Sequence, residues 1–328
     1  MKNNMKNRDE YVDVAKGIAM LLVVRVHTEV FDVIHAPYPI IAVPLFFFLS
    51  GLYDNTDKPL SVWLPKTFKR LFLVGIIWVF ISFAYMSLLH YIKDRSIEIN
   101  CSWERPLIGG GATWFLFALF YAKCFTWILS QTHISKWIVL LLSVLLGGWI
   151  SRYNLPLLVD EGIGALPFYY AGKMVYPYIK TNWEVIKWLA IIGLSCILLM
   201  PMSWFPWVLI SYSEKSPLLY PAFFLMTICS FASLLWVSKK LEKQKWLAKY
   251  GTQTLGILVL HPLMLHTCAV ILNRVLVKGS TIWIVVFICA YIIICIACYY
   301  LSLWISKHFP VLLGTNNPTP ALPRREEY

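Results

Sequence analysis

The sequence predicts an all-α polytopic membrane protein with about ten transmembrane helices and both termini in the cytoplasm. Of its 328 residues, 59% are hydrophobic and only 14% are charged, whereas soluble domains carry about 25% charged residues. The apolar residues form runs that approach the length of about 20 residues needed to cross a bilayer. Ten such runs are bounded by charged residues, prolines or Asn/Asp clusters: 12–34, 38–53, 71–92, 112–130, 136–150, 162–179, 185–203, 217–237, 253–275 and 280–305.

The distribution of basic residues sets the orientation of these runs, because Lys- and Arg-rich flanks stay in the cytoplasm during insertion. With an even number of spans and the N-terminus inside, 19 of the 29 Lys and Arg residues lie in or beside inner segments, and seven lie on the outer side. The net charge of +12 therefore follows from topology. No nucleic-acid partner is needed to explain it. We expect a multi-pass protein of the cell (plasma or inner) membrane whose surface contacts membrane lipid.

The first span carries ionisable residues that a simple anchor does not need. At about 100° per residue, Asp13, Lys16 and His27 fall on one stripe of the helix. By helix rise, Asp13 lies about 21 Å and Lys16 about 16 Å from His27, so neither orients its ring directly. A histidine within a span usually marks a pathway or a site, because a neutral imidazole can take a proton from a hydroxyl. The alternative is a hydrogen-bonded core histidine.

Two further charges share the first span. Arg25 and Glu29 lie four residues apart on a different helix face. An ion pair between them would neutralise both charges near the outer interface. A structural role is the simpler interpretation, since long side chains can also reach the lipid headgroups from this depth.

The third and fourth spans begin with polar or aromatic residues. The basic stretch KTFKRL, residues 66–71, lies on an inner connection just before the third span. It is close enough to the cytoplasm to bind an anion, although the rule for positive inner flanks explains it equally well. Trp114 begins the fourth span after Gly109–Gly111, where an interfacial tryptophan is expected in any case.

Later spans add two acidic residues and one histidine. Asp160 and Glu161 precede the sixth span in an outer loop, where they are either solvated or able to bind the hydroxyls of an acceptor. His261 lies in the middle of the ninth span, next to Pro262. The proline ring frees a backbone carbonyl and can break a helix at a cavity. His261 is therefore a second candidate functional histidine.

The chain shows no metal-binding pattern, since its cysteines have neither disulfide-framework nor metal-ligand spacing. We therefore expect no metal cofactor. The C-terminal sequence NNPTPALPRREEY is rich in Pro and polar residues and cannot bury a core. The spans thus predict a membrane domain over residues 1–308 and a disordered cytoplasmic tail over residues 309–328.

Six blocks of this sequence, taken in order, resemble the integral membrane acyltransferase 3 family, which includes the fucose 4-O-acetylase-like sugar O-acetyltransferases. The blocks are DVAKGIAMLLVVRVH at 13–27, VPLFFFLSGLY at 43–53, KTFKRL at 66–71, ATWFLFALF at 112–120, LPFYYAGKM at 166–174 and LGILVLHPLM at 255–264. The family more often has Arg where this chain has Lys16, which keeps the charge but loses a bidentate geometry. Together with the helices between them, the blocks cover residues 8 to about 305.

The resemblance implies an O-acyltransferase, most simply an O-acetyltransferase that uses acetyl-CoA as cosubstrate. Its acceptor would be a hydroxyl of a cell-envelope or exported glycan, or of a lipid-linked sugar, and the acyl group would be acetyl or succinyl. His27 would act as general base or carry the acyl group transiently, with Asp13 and Lys16 in the same catalytic motif. The donor-binding residues implied by the matching blocks are Lys66, Lys69, Arg70 and Trp114.

A transporter or flippase of a glycan intermediate is the alternative function. Many helices with intramembrane charges and Pro-containing segments are also typical of carriers. Carriers commonly show internal repeats, however, and residues 1–164 do not resemble residues 165–328. The sequence therefore favours the enzyme.

Overall fold

In the computed structural model of the chain, residues 9–33, 42–54, 58–94, 112–150, 153, 155–179, 181–199 and 220–315 are described. These residues form helices, turns and short connections, with no strand among them. The α-helices are α1 Glu10–Val26, α2 Glu29–Val33, α3 Ala42–Gly51, α4 Leu60–Thr67, α5 Val74–Asp94, α6 Trp114–Ser130, α7 Lys136–Ile150, α8 Val159–Ile179, α9 Trp183–Leu199, α10 Tyr220–Lys240, α11 Lys245–Thr252, α12 Thr254–Val275 and α13 Thr281–His308.

The all-α prediction is confirmed for the described residues. Four helical segments among them are long and apolar enough to cross a membrane: Leu60–Ile92, Tyr220–Lys240, Thr254–Val275 and Thr281–His308. The helices α6 and α7 are apolar but shorter. The count of ten spans and the cytoplasmic location of both termini stay predictions, because residues 34–41, 95–111 and 200–219 lie outside the described part of the chain.

Helix α1 lies at the centre of the packing. It contacts α3, α10, α11 and α12, and ten of its seventeen residues are buried. A second layer forms around α8, which packs against α3, α6 and α7. Helices α9 and α10 pair with each other, as do α12 and α13. Residues on α1, α3, α6 and α12 thus meet around a common interior.

Two of the predicted spans depart from a regular α-helix. The first is interrupted, because α1 ends at Val26 and α2 begins at Glu29. The other is the third predicted span, 71–92, which is part of the longer helical segment Leu60–Ile92. In this segment a π-helical stretch, Phe68–Leu73, joins α4 to α5. The prediction of a connection at 66–71 is therefore wrong, since these residues are helical and continue directly into α5, while their location on the inner side stays a prediction. Single π-helical turns within α-helices are frequent at functional sites.

The segment that follows α13 packs against the beginning of α5. Residues Pro310–Leu313 form a 3₁₀ turn, and the Leu312 carbonyl accepts a hydrogen bond of 2.8 Å from the indole Nε1 of Trp78. Gly314, at φ 67°, then lies against the backbone of Arg70. The predicted tail thus begins with an ordered turn, and residues 316–328 lie outside the described part of the chain.

Candidate active site

His27 terminates α1 and projects into a cavity. Its backbone N–H donates to the Val24 carbonyl at 3.3 Å, and the Thr28 hydroxyl donates to the same carbonyl at 2.9 Å. Thr28 is buried, whereas the His27 side chain is exposed. The local sequence therefore fixes the backbone at the helix end and leaves the imidazole accessible.

His261 faces His27 from the neighbouring helix α12. The two ring centroids lie 5.1 Å apart, with an angle of 56° between the ring planes. His261 is fully buried, and its Nδ1 lies 2.9 Å from the Ile257 carbonyl oxygen. A carbonyl can only accept, so Nδ1 carries the proton and Nε2 of the neutral ring is an acceptor. Among the described residues, Nε2 has no hydrogen-bond partner.

A basic cavity of about 360 Å³ is lined in part by residues of α1 and α12 that precede the two histidines in the sequence. Its walls come from α1, α3, α4, the π-helical stretch, α6 and α12. Five basic side chains line it, and no acidic side chain does so among the described residues: the basic residues are Lys16, Lys58, Lys66, Arg70 and Lys123. The Lys16 ammonium also lies 5.3 Å from the centre of the Tyr53 ring. Such a surface suits an anionic ligand.

The basic cavity is graded along its length. On α1 the lining changes from Lys16 to Met20 in the direction of His27, and on α12 it changes from Thr254 to Leu258 in the direction of His261. Helix α6 supplies Lys123 at the polar end and Phe115 at the apolar end, where Phe115 contacts the phenylalanines of α3. One end of the cavity is therefore cationic, and the end nearer the histidines is apolar.

A second cavity, here called the histidine cavity, measures about 140 Å³. It is lined by His27, Thr28, Glu29, Pro262, Leu265, His266, Ala269 and Phe287. Along α12, His261 lies between Leu258 of the basic cavity and Pro262 of the histidine cavity. The helix continues through Pro262 without a break. His27 thus lines one cavity, and His261 lies on α12 between the residues that line the two cavities.

The structure brings together only some of the residues predicted from the sequence. Lys16, Lys66 and Arg70 line the basic cavity, and His27 and Glu29 line the histidine cavity. Lys69 and Trp114 line neither cavity. Asp13 is buried where α1 packs against α11, and its backbone carbonyl lies against Gly251.

The predicted ion pair between Arg25 and Glu29 is not formed. Glu29 instead accepts from the Lys278 ammonium at 2.7 Å and from the Asn273 amide at 3.4 Å. Arg25 lies over the Phe31 ring, 4.8 Å from its centre. The reason is the interruption after Val26, because the four-residue spacing brings side chains together only on a continuous helix.

The predicted outer loop around Asp160 and Glu161 is also wrong. Both residues lie in the first turn of α8 and are fully buried. The helix begins at Val159, three residues earlier than the predicted span, because Asp and Glu are favourable in a first helical turn. Neither residue lines the basic cavity or the histidine cavity.

Lys123 and its buried partners were not among the site residues predicted from the sequence. Lys123 donates to the Tyr169 hydroxyl at 2.8 Å, and that hydroxyl donates to Asp54 at 2.5 Å. Asp54 also pairs with Lys173 at 3.2 Å. A lysine inside an apolar run is itself a signal of function, and it was present in the fourth predicted span.

Comparison with known proteins identifies one family. A family model described as an acyltransferase domain matches residues 9–303, nearly the whole length described above. No curated protein and no solved structure matches the chain.

Proposed function

Because the chain belongs to the acyltransferase 3 family, whose model matches residues 9–303, we propose that it is an O-acetyltransferase that carries an acetyl group from acetyl-CoA to a hydroxyl of a cell-envelope or exported glycan. Membership of this family was predicted from six sequence blocks and is confirmed. The observation that carries the proposal is that His27 lines the histidine cavity, with His261 packed against it between the α12 residues that line the two cavities.

The basic cavity suits the donor. Coenzyme A bears phosphates at one end and a thioester at the end of an uncharged arm, and the cavity is cationic at one end and apolar towards the histidines. Its volume of about 360 Å³ falls in the range of about 300–1,000 Å³ common to small-molecule sites. Lys66 and Arg70 lie four residues apart and both line the cationic end. They would hold phosphate oxygens through charge-assisted hydrogen bonds.

The histidine cavity suits a sugar hydroxyl. It offers a carboxylate, a hydroxyl and an imidazole close to an aromatic ring, from Glu29, Thr28, His27 and Phe287 respectively. Carboxylates accept hydrogen bonds from sugar hydroxyls. His27 and His266 are the lining residues that can act as a base near neutral pH, and of the two His27 lies against His261.

The chemistry then follows from the two rings. A nitrogen of His27 accepts the proton of the acceptor hydroxyl, and the hydroxyl oxygen attacks the thioester carbonyl. The carbon–sulfur bond breaks, and the proton returns from His27 to the departing thiolate to give free coenzyme A. His261 Nε2 would accept a hydrogen bond from the other nitrogen of His27 once the exposed ring turns towards it. Transient acylation of His27 is the alternative route to the same products.

Mass spectrometry of envelope and exported glycans tests the proposal. Cells that lack the gene are compared with cells that express the wild-type protein or His27→Ala at equal membrane levels. We expect one acetyl mass per modified repeat with the wild-type protein and none with His27→Ala, while the glycan is exported in every case. Absence of the glycan itself without the gene would support a flippase and would contradict the proposal.

A further inference from the structure

Backbone contact between α3 and α8 places one acidic residue beside two lysines. A Cβ at Gly51 would overlap the Tyr169 carbonyl oxygen, and a Cβ at Gly172 would overlap the Phe48 carbonyl oxygen. Only residues without a side chain allow this close approach of the two helices. As a result, Asp54, just beyond the end of α3, lies against α8.

Asp54 is bonded from several sides within this contact. Its side chain is only 1% exposed. One carboxylate oxygen accepts from the Tyr169 hydroxyl at 2.5 Å, and the other lies 3.2 Å from the Lys173 ammonium. The Lys123 ammonium is 4.0 Å from Asp54 and donates to the Tyr169 hydroxyl at 2.8 Å. Tyr169 therefore links Lys123 to the carboxylate.

The two lysines differ in their relation to Asp54. Lys173 is the closer of the two to the carboxylate, and it also donates to the Ser130 hydroxyl at 2.9 Å. The nearest partner of Lys123 in this cluster is the neutral hydroxyl of Tyr169. Among the described residues of this cluster, one carboxylate lies between two ammonium groups. Lys123 is also the member of the cluster that lines the basic cavity.

We propose that Lys123 is a donor-binding residue, and that Tyr169 and Asp54 are positioning residues that hold its ammonium group at the cavity wall for a phosphate of coenzyme A. This inference rests on the function proposed above. A cation within an apolar run is costly unless it has a role there. Here the Asp54–Lys173 pair would satisfy the carboxylate without Lys123. The hydrogen bond to Tyr169 orders the long lysine side chain before the ligand arrives, which lowers the entropy lost on binding.

The test compares two donors that differ in their phosphates. Affinity for acetyl-CoA and for phosphate-free S-acetylpantetheine is measured with purified protein in nanodiscs, for wild type, Lys123→Gln and Lys123→Arg. We expect Lys123→Gln to weaken acetyl-CoA binding by roughly tenfold to a hundredfold, the effect of one charge-assisted hydrogen bond. S-acetylpantetheine binding should not change. Lys123→Arg, which keeps the charge, should retain most of the acetyl-CoA affinity.

A second variant covers the case in which Lys123→Gln does not fold. Tyr169→Phe removes the hydroxyl that orders Lys123 but leaves the Asp54–Lys173 pair in place. We expect a loss of acetyl-CoA affinity smaller than that of Lys123→Gln, seen in KM with kcat nearly unchanged. Lys187→Gln serves as the matched control, because Lys187 is exposed on α9, where it contacts Glu184 and the ring of Trp188 and lines neither cavity.

The outcomes separate this inference from the proposed function. Equal losses for both donors in Lys123→Gln would show a structural role and overturn the inference, as would an unchanged preference for acetyl-CoA. In either case, wild-type binding of acetyl-CoA would still support the proposed donor. Failure of the wild-type protein to bind acetyl-CoA at all would overturn both.

Discussion

At the residue scale, the two nitrogens of His261 have different roles. Nδ1 donates to the Ile257 carbonyl, which leaves Nε2 as a buried acceptor in a ring whose centre lies 5.1 Å from that of His27. An acceptor in that position can fix which nitrogen of His27 carries a proton, and so which nitrogen is free to act as a base. His261 would thus act through His27 rather than on the substrate.

Substitution of His27 should therefore lower kcat more than substitution of His261. We expect His27→Ala to lower kcat by about two to four orders of magnitude, the usual contribution of a general base. His261→Phe should lower kcat by about tenfold, as for one lost neutral hydrogen bond. Neither variant should change KM for acetyl-CoA, because the cationic end of the basic cavity is intact. Steady-state kinetics measure both constants, and a raised donor KM with normal kcat would contradict these roles.

Glu29 provides a second prediction at this scale. Its partner is Lys278 at 2.7 Å, and both side chains are substantially exposed, at 36% and 57%. A double-mutant cycle on Glu29 and Lys278, with alanine at each, should therefore give a coupling of at most about 1 kcal/mol. The cycle on Arg25 and Glu29 should give a coupling near zero. Thermal unfolding in detergent measures both, and recovery of Arg25→Ala by Glu29→Ala would show that those two residues do interact.

At the element scale, the contact between α3 and α8 depends on two glycines, Gly51 and Gly172. Gly172→Ala should reduce stability by about 1–3 kcal/mol, the usual cost of overpacking, because the added methyl would overlap the Phe48 carbonyl. It should also weaken acetyl-CoA binding, since Asp54 and Tyr169 would move apart. Gly147→Ala on α7 is the control, because its nearest contacts would be at 3.4 Å. Equal stability of the two variants would argue against the close contact.

Most helix positions, but not the break in the first span, could be predicted from the sequence. Runs of apolar residues predict helices because each run must bury its backbone polar groups, and α10, α12 and α13 lie within a few residues of their predicted spans. The break after Val26 could not be predicted in this way, since the run 12–34 has no Pro or Gly near His27. It depends on a local hydrogen bond from Thr28 and on contacts with α12 and α13.

Only the site residues that lie in continuous sequence blocks could be predicted. His27, Lys16, Lys66 and Arg70 belong to continuous sequence blocks, so a local pattern is enough to find them. Asp54, Lys123 and Tyr169 are instead far apart in the sequence, with 115 positions between Asp54 and Tyr169. Their association arises only from the packing of α3, α6 and α8, which no single stretch of sequence encodes.

At the scale of the whole molecule, the two cavities lie towards opposite ends of the helices that carry them. Helix α12 has 22 residues, a length of about 33 Å at about 1.5 Å per residue, which matches a hydrocarbon core of about 30 Å. Thr254 at its start lines the basic cavity, and Lys278, just beyond its end, pairs with Glu29 of the histidine cavity. A donor from the cytoplasm and an acceptor outside it would then enter from different sides of the membrane.

This arrangement makes the orientation of the chain testable together with its function. Coenzyme A is a cytoplasmic ligand in the proposed reaction, so the end that carries the basic cavity should face the cytoplasm, as the excess of inner Lys and Arg also predicts. Lys245 and Lys278 are both exposed and lie towards opposite ends. In a variant without native cysteines, Lys278→Cys should react with a membrane-impermeant maleimide in intact cells, and Lys245→Cys only after permeabilisation. The reverse pattern would place the basic cavity outside the cell, away from acetyl-CoA, and would contradict both the orientation and the donor.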